Sequence, residues 1–171
     1  MRSGFKGCCY WRVEIRPLGD ESDQVRFLAD VMLGKLARWL RVLGWDAEYC
    51  KNKSTEELLA RATGEDRILL TRKQLEHKSL VFIESEILEE QLDQLEKLFK
   101  VIADARPFTR CIECNRLLEE ADKKDVKGRV PFFTYSTQER FYACAGCGKV
   151  YWPGSHHRAM LRKVNKLKEK T

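Results

Sequence analysis

Apolar positions along this chain change period several times, and each change marks an element. Val25, Phe27, Leu28 and Ala29 form a short apolar run ending at Asp30, the pattern of a buried strand. Directly after it, Leu33, Leu36, Ala37, Leu40 and Leu43 recur at three- and four-residue steps, so they share one face of a helix. Lys35, Arg38 and Arg41 fall on a different stripe, and Gly44 supplies the terminal cap. Residues 45–49 predict a second strand. Ser54, Thr55, Glu56 and Glu57 make a capping box, Ser54 as cap and Glu57 reaching back. The box opens a helix that carries Leu58, Leu59 and Ala62 and ends near Gly64. Residues 67–71 and 80–83 predict the third and fourth strands. Leu88, Leu92, Leu95, Phe99 and Ile102 then stripe a longer helix whose Glu/Lys-rich remainder faces solvent.

Strands alternating with helices at this spacing predict an α/β fold, a parallel sheet flanked by helices. Right-handed crossovers bring the carboxyl ends of the first and third strands to one edge of the sheet, where such folds bind ligands. The residues at that edge are Asp30 and Thr71-Arg72-Lys73.

Four segments follow from the punctuation. Residues 1–24 are an N-terminal segment in which the partial alternation over residues 10–15 predicts an extra edge strand and Cys8 and Cys9 are incidental thiols. Residues 25–106 are the α/β domain, with Pro107 at its boundary. Residues 107–157 hold a charged turn at 122–128 and two predicted strands, 130–135 and 139–143. Residues 158–171 are rich in lysine and arginine, with Met160, Leu161, Val164 and Leu167 at helical spacing, either a basic helix on RNA or a solvated end.

The cysteines add chemistry to this outline. Cys111 and Cys114 sit in one Cys-x-x-Cys, Cys144 and Cys147 in another, a spacing that builds a four-thiolate zinc ribbon. Gly146 and Gly148 give the second turn its backbone freedom. Four sulfurs leave no open position for water, so the Zn2+ is structural. His156 and His157 are then not needed as ligands. A protein of 171 residues with net charge +6 favours a polyanionic partner. No apolar run approaches a membrane span, and seven cysteines, four in metal spacing, suit an intracellular reducing compartment. Trp39, Trp45 and Met32 read as core, and Tyr151 and Trp152 as packing under the ribbon.

The stretch from Phe27-Leu28-Ala29-Asp30 through Gly34-Lys35-Leu36-Ala37-Arg38-Trp39-Leu40-Arg41 to Gly44 resembles the opening signature of the Mut-seven C-terminal ribonuclease domain. So do Arg67-Ile68-Leu69-Leu70-Thr71-Arg72, Arg110-Cys111 with Cys114-Asn115, and Cys147-Gly148-Lys149-Val150-Tyr151-Trp152 with Gly154-Ser155-His156. The resemblance implies a PIN-like nuclease fold with a C-terminal zinc ribbon, and RNA as partner, either free or within a ribonucleoprotein assembly. It implies phosphate contacts from Lys35, Arg38, Arg41, Arg72 and Lys73. His156 matches the family pattern and is expected to bind phosphate or brace the ribbon by a hydrogen bond, with bracing preferred.

Nucleases of this type hold Mg2+ or Mn2+ on several carboxylates at the sheet edge. Asp30 matches the first acid. Thr55, followed by Glu56 and Glu57, stands where the family commonly has an Asp, and Lys73 stands where it has another. Two expectations follow. Either Asp30, Glu56 and Glu57 form a catalytic set, or Lys73 pairs with Asp30 in the vacated cation site and leaves an inactive nuclease fold that binds RNA.

Overall fold

The computed structural model describes residues 24–170; the expected strand over residues 10–15, Cys8 and Cys9 lie outside them. Strand β1 (Arg26–Ala29) is followed by a 3-10 turn at Val31–Leu33 and helix α1 (Gly34–Val42). Strand β2 (Ala47–Tyr49), helix α2 (Thr55–Gly64), strand β3 (Arg67–Thr71), strand β4 (Leu80–Phe82) and helix α3 (Leu88–Phe99) complete the α/β part. The four strands are parallel in the order β2-β1-β3-β4. Connections therefore leave β1 in one direction and return past it to β3, which makes the β1–β3 seam the switch point of the sheet.

Alternation of side chains along the strands divides the core between two faces. Phe27, Ala29 and Leu70 pack with α1 and α3 residues such as Leu36, Leu40, Leu92 and Leu95. Leu28 and Leu69 point the other way, onto Leu58 and Ala62 of α2. Phe27 meets the rings of Trp45 and Phe99 edge-on, and the Trp45 indole N–H donates to Val101 O at 2.8 Å. Trp45 is thus core, as its surroundings predict. Gly44 has φ +93, and a β-carbon there would lie 2.1 Å from Arg106 O, so only glycine fits between the end of α1 and the segment leaving the domain.

The second sheet differs from expectation. It is antiparallel and ordered β5 (Leu118–Ala121), β6 (Phe141–Cys144), β7 (Val150–Tyr151). The strand expected over 130–135 is instead helix α4 (Phe132–Thr137), led by Pro131. Val130 and Tyr135 pack with Val126 and Phe141 in a small core, while Phe132 and Phe133 face solvent. Six residues with mixed polarity satisfy a strand period and a helix period equally well, and proline just before the first turn favours the helix. Helix α5 (Ser155–Lys170) then folds back. Its Val164 is fully buried against the main core, with Met160 and Leu167 beside it. No helix among the described residues is long and apolar enough to cross a membrane.

Candidate metal centre and nucleic-acid interface

The two Cys-x-x-Cys turns have one backbone pattern. In the first, Asn115 N donates to Cys111 O at 2.9 Å and Cys111 N donates to Arg116 O at 2.7 Å. In the second, Gly148 N donates to Cys144 O at 2.9 Å and Cys144 N donates to Lys149 O at 3.0 Å. Asn115 and Gly148 hold the same left-handed φ of 71°. Gly148 is therefore glycine for conformational reasons, whereas at Gly146 the nearest atoms to an added β-carbon belong to the exposed, movable Arg116 side chain.

These turns aim their sulfurs at one point. The four Sγ atoms lie within 4.8 Å of one another, with Cys111 to Cys147 at 3.6 Å and Cys114 to Cys144 at 3.2 Å. A tetrahedron with Zn–S bonds of about 2.3 Å has sulfurs roughly 3.8 Å apart, so the donor set fits zinc. Burial pushes the Cys111 thiol up, but hydrogen bonds from the Tyr151 hydroxyl and the turn backbone outweigh it and bring the group down to about 6. Burial and the crowding of its sulfur neighbours push Cys114 up to about 12. Four thiolates cannot coexist at this spacing without a cation, and a divalent ion supplies that charge. Tyr151 thus packs against the sulfurs through its hydroxyl, 3.1 Å from Cys111 Sγ, and Trp152 packs on the small core.

The metal turn is clamped to the α/β part. Asn115 Oδ1 accepts from Ala47 N of edge strand β2 at 3.0 Å, and Asn115 Nδ2 donates to Asp46 Oδ1 at 2.8 Å. Arg110 donates to Gly44 O. Arg41 donates from Nε to Ala47 O at 2.7 Å and from one terminal nitrogen to Glu113 O at 2.7 Å and Ile112 O at 3.2 Å. Arg41 is a buried strut under the first turn and does not face solvent, contrary to its expected place among phosphate contacts. Position on a helix stripe could not reveal this, because two of the three carbonyls it serves lie some seventy residues away.

At the sheet edge, Asp30 is buried and its carboxylate is committed. Oδ1 accepts from Met32 N at 2.9 Å, and Oδ2 accepts from the Thr71 hydroxyl at 2.5 Å across the β1–β3 seam. Lys73 does not pair with Asp30. Its backbone N–H donates to Thr71 Oγ1 at 3.1 Å and its ammonium donates to Thr55 Oγ1 at 2.6 Å. The two positions that depart from the expected acids are therefore bonded to each other. Met32, expected in the core, is exposed beside them. It belongs to a 3-10 turn, whose tighter winding rotates it off the buried face of α1.

Glu57 is occupied by the capping box, accepting from Ser54 N at 2.8 Å and from Lys53 Nζ at 2.9 Å. Glu56 is exposed on the first turn of α2; hydrogen bonds to its own backbone and to Ser54, with a smaller pull from Lys73, hold its carboxyl below the usual range. Asp30, Glu56 and Glu57 are not brought together. Among the described residues, the four cysteines are the one group of three or more ligating side chains within 4.8 Å of one another. Asp30 already accepts from two protein donors and belongs to no group of three or more ligating side chains within 4.8 Å among the described residues. Arg72 is half-buried and donates to Ile83 O and Glu84 O, holding the exit of β4. Lys35, Arg38 and Lys73 remain exposed, Arg38 at 3.6 Å from Glu113. His156 is exposed and its side chain makes no hydrogen bond among the described residues; His157 takes the packed position, on Phe108.

A parallel α/β domain carrying, near its end, four cysteines clustered with the geometry of a metal site is the class that this fold and these sites define. The sequence pattern of the Mut7-C RNAse domain matches residues 25–164, and the chain belongs to that family. No curated protein and no solved structure matches it significantly.

Proposed function

We propose that this protein binds single-stranded RNA along the carboxyl edge of its sheet and does not cleave it. The observation that carries this reading is the Lys73–Thr55 hydrogen bond beside a carboxylate already satisfied by Thr71 and Met32. In a metal-dependent nuclease the attacking water and the developing charge on phosphorus need a divalent cation held by carboxylates. Here a fixed ammonium occupies that neighbourhood. It attracts a phosphate but cannot activate water as a divalent ion does. Lys35 and Arg38 on α1 extend the cationic surface from the same edge. The zinc ribbon serves as a structural module, with Cys111, Cys114, Cys144 and Cys147 as ligands. Its thiolates suit a reducing compartment.

Fluorescence anisotropy with a labelled single-stranded RNA, run from about 50 to 200 mM salt, tests binding. The expectation is saturable binding whose affinity falls with salt and is weakened by Lys73→Gln. Gel analysis of the same RNA with Mn2+ tests chemistry. Intact RNA is expected, whereas cleavage abolished by Asp30→Ala would establish a ribonuclease instead. Binding only after assembly with partner proteins would favour a fixed component of a larger RNA–protein particle.

A further inference from the structure

Helix α5 concentrates charge in a way no other element does. It carries Arg158, Arg162, Lys163, Lys166, Lys168 and Lys170 against a single acid, Glu169. None of these six cations has a carboxylate partner among the described residues. Other described cations without a carboxylate within 4.0 Å, Lys35 and Lys73 among them, are scattered over several elements, whereas Arg38, Lys53, Arg61, Arg67, Lys123 and Lys149 each have one. An unneutralised helix destabilises itself by mutual repulsion, more so with Arg158 at its positive N-terminal end. An anionic partner would neutralise it.

The geometry narrows the partner. Met160, Val164 and Leu167 are packed on the protein core, which leaves the opposite face outward. Arg158, Arg162 and Lys166 repeat at four-residue steps along that outward face, about 6 Å of rise per step. Arg158 donates to Pro153 O at 3.1 Å, yet its residue remains exposed. Lys163 lies 5.9 Å from the centre of the Trp39 ring, which ties α5 to α1, the helix that bears Lys35 and Arg38. A basic helix that lies on a membrane needs a free apolar face to bury among lipids. Here that face is spent on the core. A row of evenly spaced cations, with one exposed leucine, Leu161, at its side and one acid, Glu169, near its end, suits a regularly charged chain better than a lipid surface.

We infer that the outward face of α5, centred on Arg158, Arg162 and Lys166, is a second RNA-binding surface that grips the phosphate backbone away from the sheet edge. This rests on the RNA-binding reading above and adds to it a particular surface. The contact reads charge, not base identity, so it holds RNA without selecting sequence.

The test uses the full chain and a labelled oligouridine. Each phosphate contact on a single strand contributes about 0.7 to the log–log salt slope. Replacing Arg158, Arg162 and Lys166 with Gln is expected to reduce the slope by about 2, so that the wild-type advantage shrinks roughly 20-fold between 50 and 200 mM salt. A double variant, Arg162→Gln with Lys166→Gln, leaves the Pro153 hydrogen bond intact and is expected to lose about 1.4 of slope. Replacing both arginines with Lys restores binding, since charge alone is required. Circular dichroism and zinc content report that each variant is folded. If the wild type binds RNA and the variants bind with an unchanged slope, α5 is not on the RNA and the inference fails while the proposed function stands. Absence of RNA binding by the wild type overturns both. A third arm uses phosphatidylserine/phosphatidylcholine vesicles; vesicle binding that the variants lose, with RNA binding unaltered, would assign the helix to a membrane and refute it.

Discussion

Asn115 is a single side chain through which the metal turn holds the edge of the main sheet, and its replacement has a computable cost. Its amide closes two hydrogen bonds, from Ala47 N at 3.0 Å and to Asp46 Oδ1 at 2.8 Å, and its backbone is left-handed at φ 71°. In Asn115→Ala, the N–H of fully buried Ala47 loses its partner, which costs about 1–3 kcal/mol. Loss of a hydrogen bond to a charged carboxylate adds about 1.5 kcal/mol or more, while the β-carbon at left-handed φ is common to asparagine and alanine and adds little. Partial relaxation brings the sum to about 2–4 kcal/mol, a large fraction of the stability of a domain this size. Asn115→Gly loses the same hydrogen bonds without the backbone strain, so it should be less damaging than alanine by about 1 kcal/mol. Urea unfolding at saturating zinc, followed by tryptophan fluorescence and by circular dichroism, measures both. The transitions should coincide, because the turn and the sheet share these bonds. A loss under about 1 kcal/mol for alanine, or separate transitions for ribbon and sheet, would refute the clamp.

Three further outcomes follow from the same geometry. Stripping zinc with a chelator, or replacing Cys114 with Ser, should lower the melting temperature of the whole protein and not merely unfold residues 107–157, as differential scanning calorimetry would register. The double variant Lys73→Asp with Thr55→Asp removes the ammonium and adds two carboxylates beside Asp30, so calorimetric Mn2+ binding absent in the wild type should appear; failure of the variant to bind Mn2+ while folded would refute the view that Lys73 and Thr55 block the site. Burial pushes the Asp46 carboxyl up, but hydrogen bonds from Arg67 and Asn115 outweigh it and hold the group below its usual range. A depressed carboxyl stabilises the fold above its unfolded titration range and loses that contribution as pH falls through its folded value. The wild type should therefore exceed Asp46→Asn in melting temperature near neutrality and converge on it in acid; thiolate protonation occurs in both proteins and cancels in the difference.

The elements from residue 25 to residue 99 and the clustering of the four cysteines were legible because their signals are local. Strand and helix periods, the Ser54 box, the glycine after α1 and the Cys-x-x-Cys spacings each state a geometric requirement within a few residues of sequence. Strand β5 was not legible. Its Leu-Glu-Glu-Ala sequence has little strand character, and it forms because the first metal turn delivers Leu118 opposite Cys144. Helix α4 was mistaken for a strand because a stretch this short fits both periods.

The chain by itself therefore determined what its segments become and which sulfurs meet, since backbone period and ligand spacing are properties of neighbours in sequence. Tertiary structure alone decided which charges remain for a partner. Arg41 and Arg72 are consumed by distant carbonyls, Lys73 turns to Thr55 and not to Asp30, and the cations of α5 are left outward by the burial of Val164. The reason is physical: a long cationic side chain is satisfied by whichever acceptor the fold brings within hydrogen-bond reach, and that acceptor is not written beside it in the sequence.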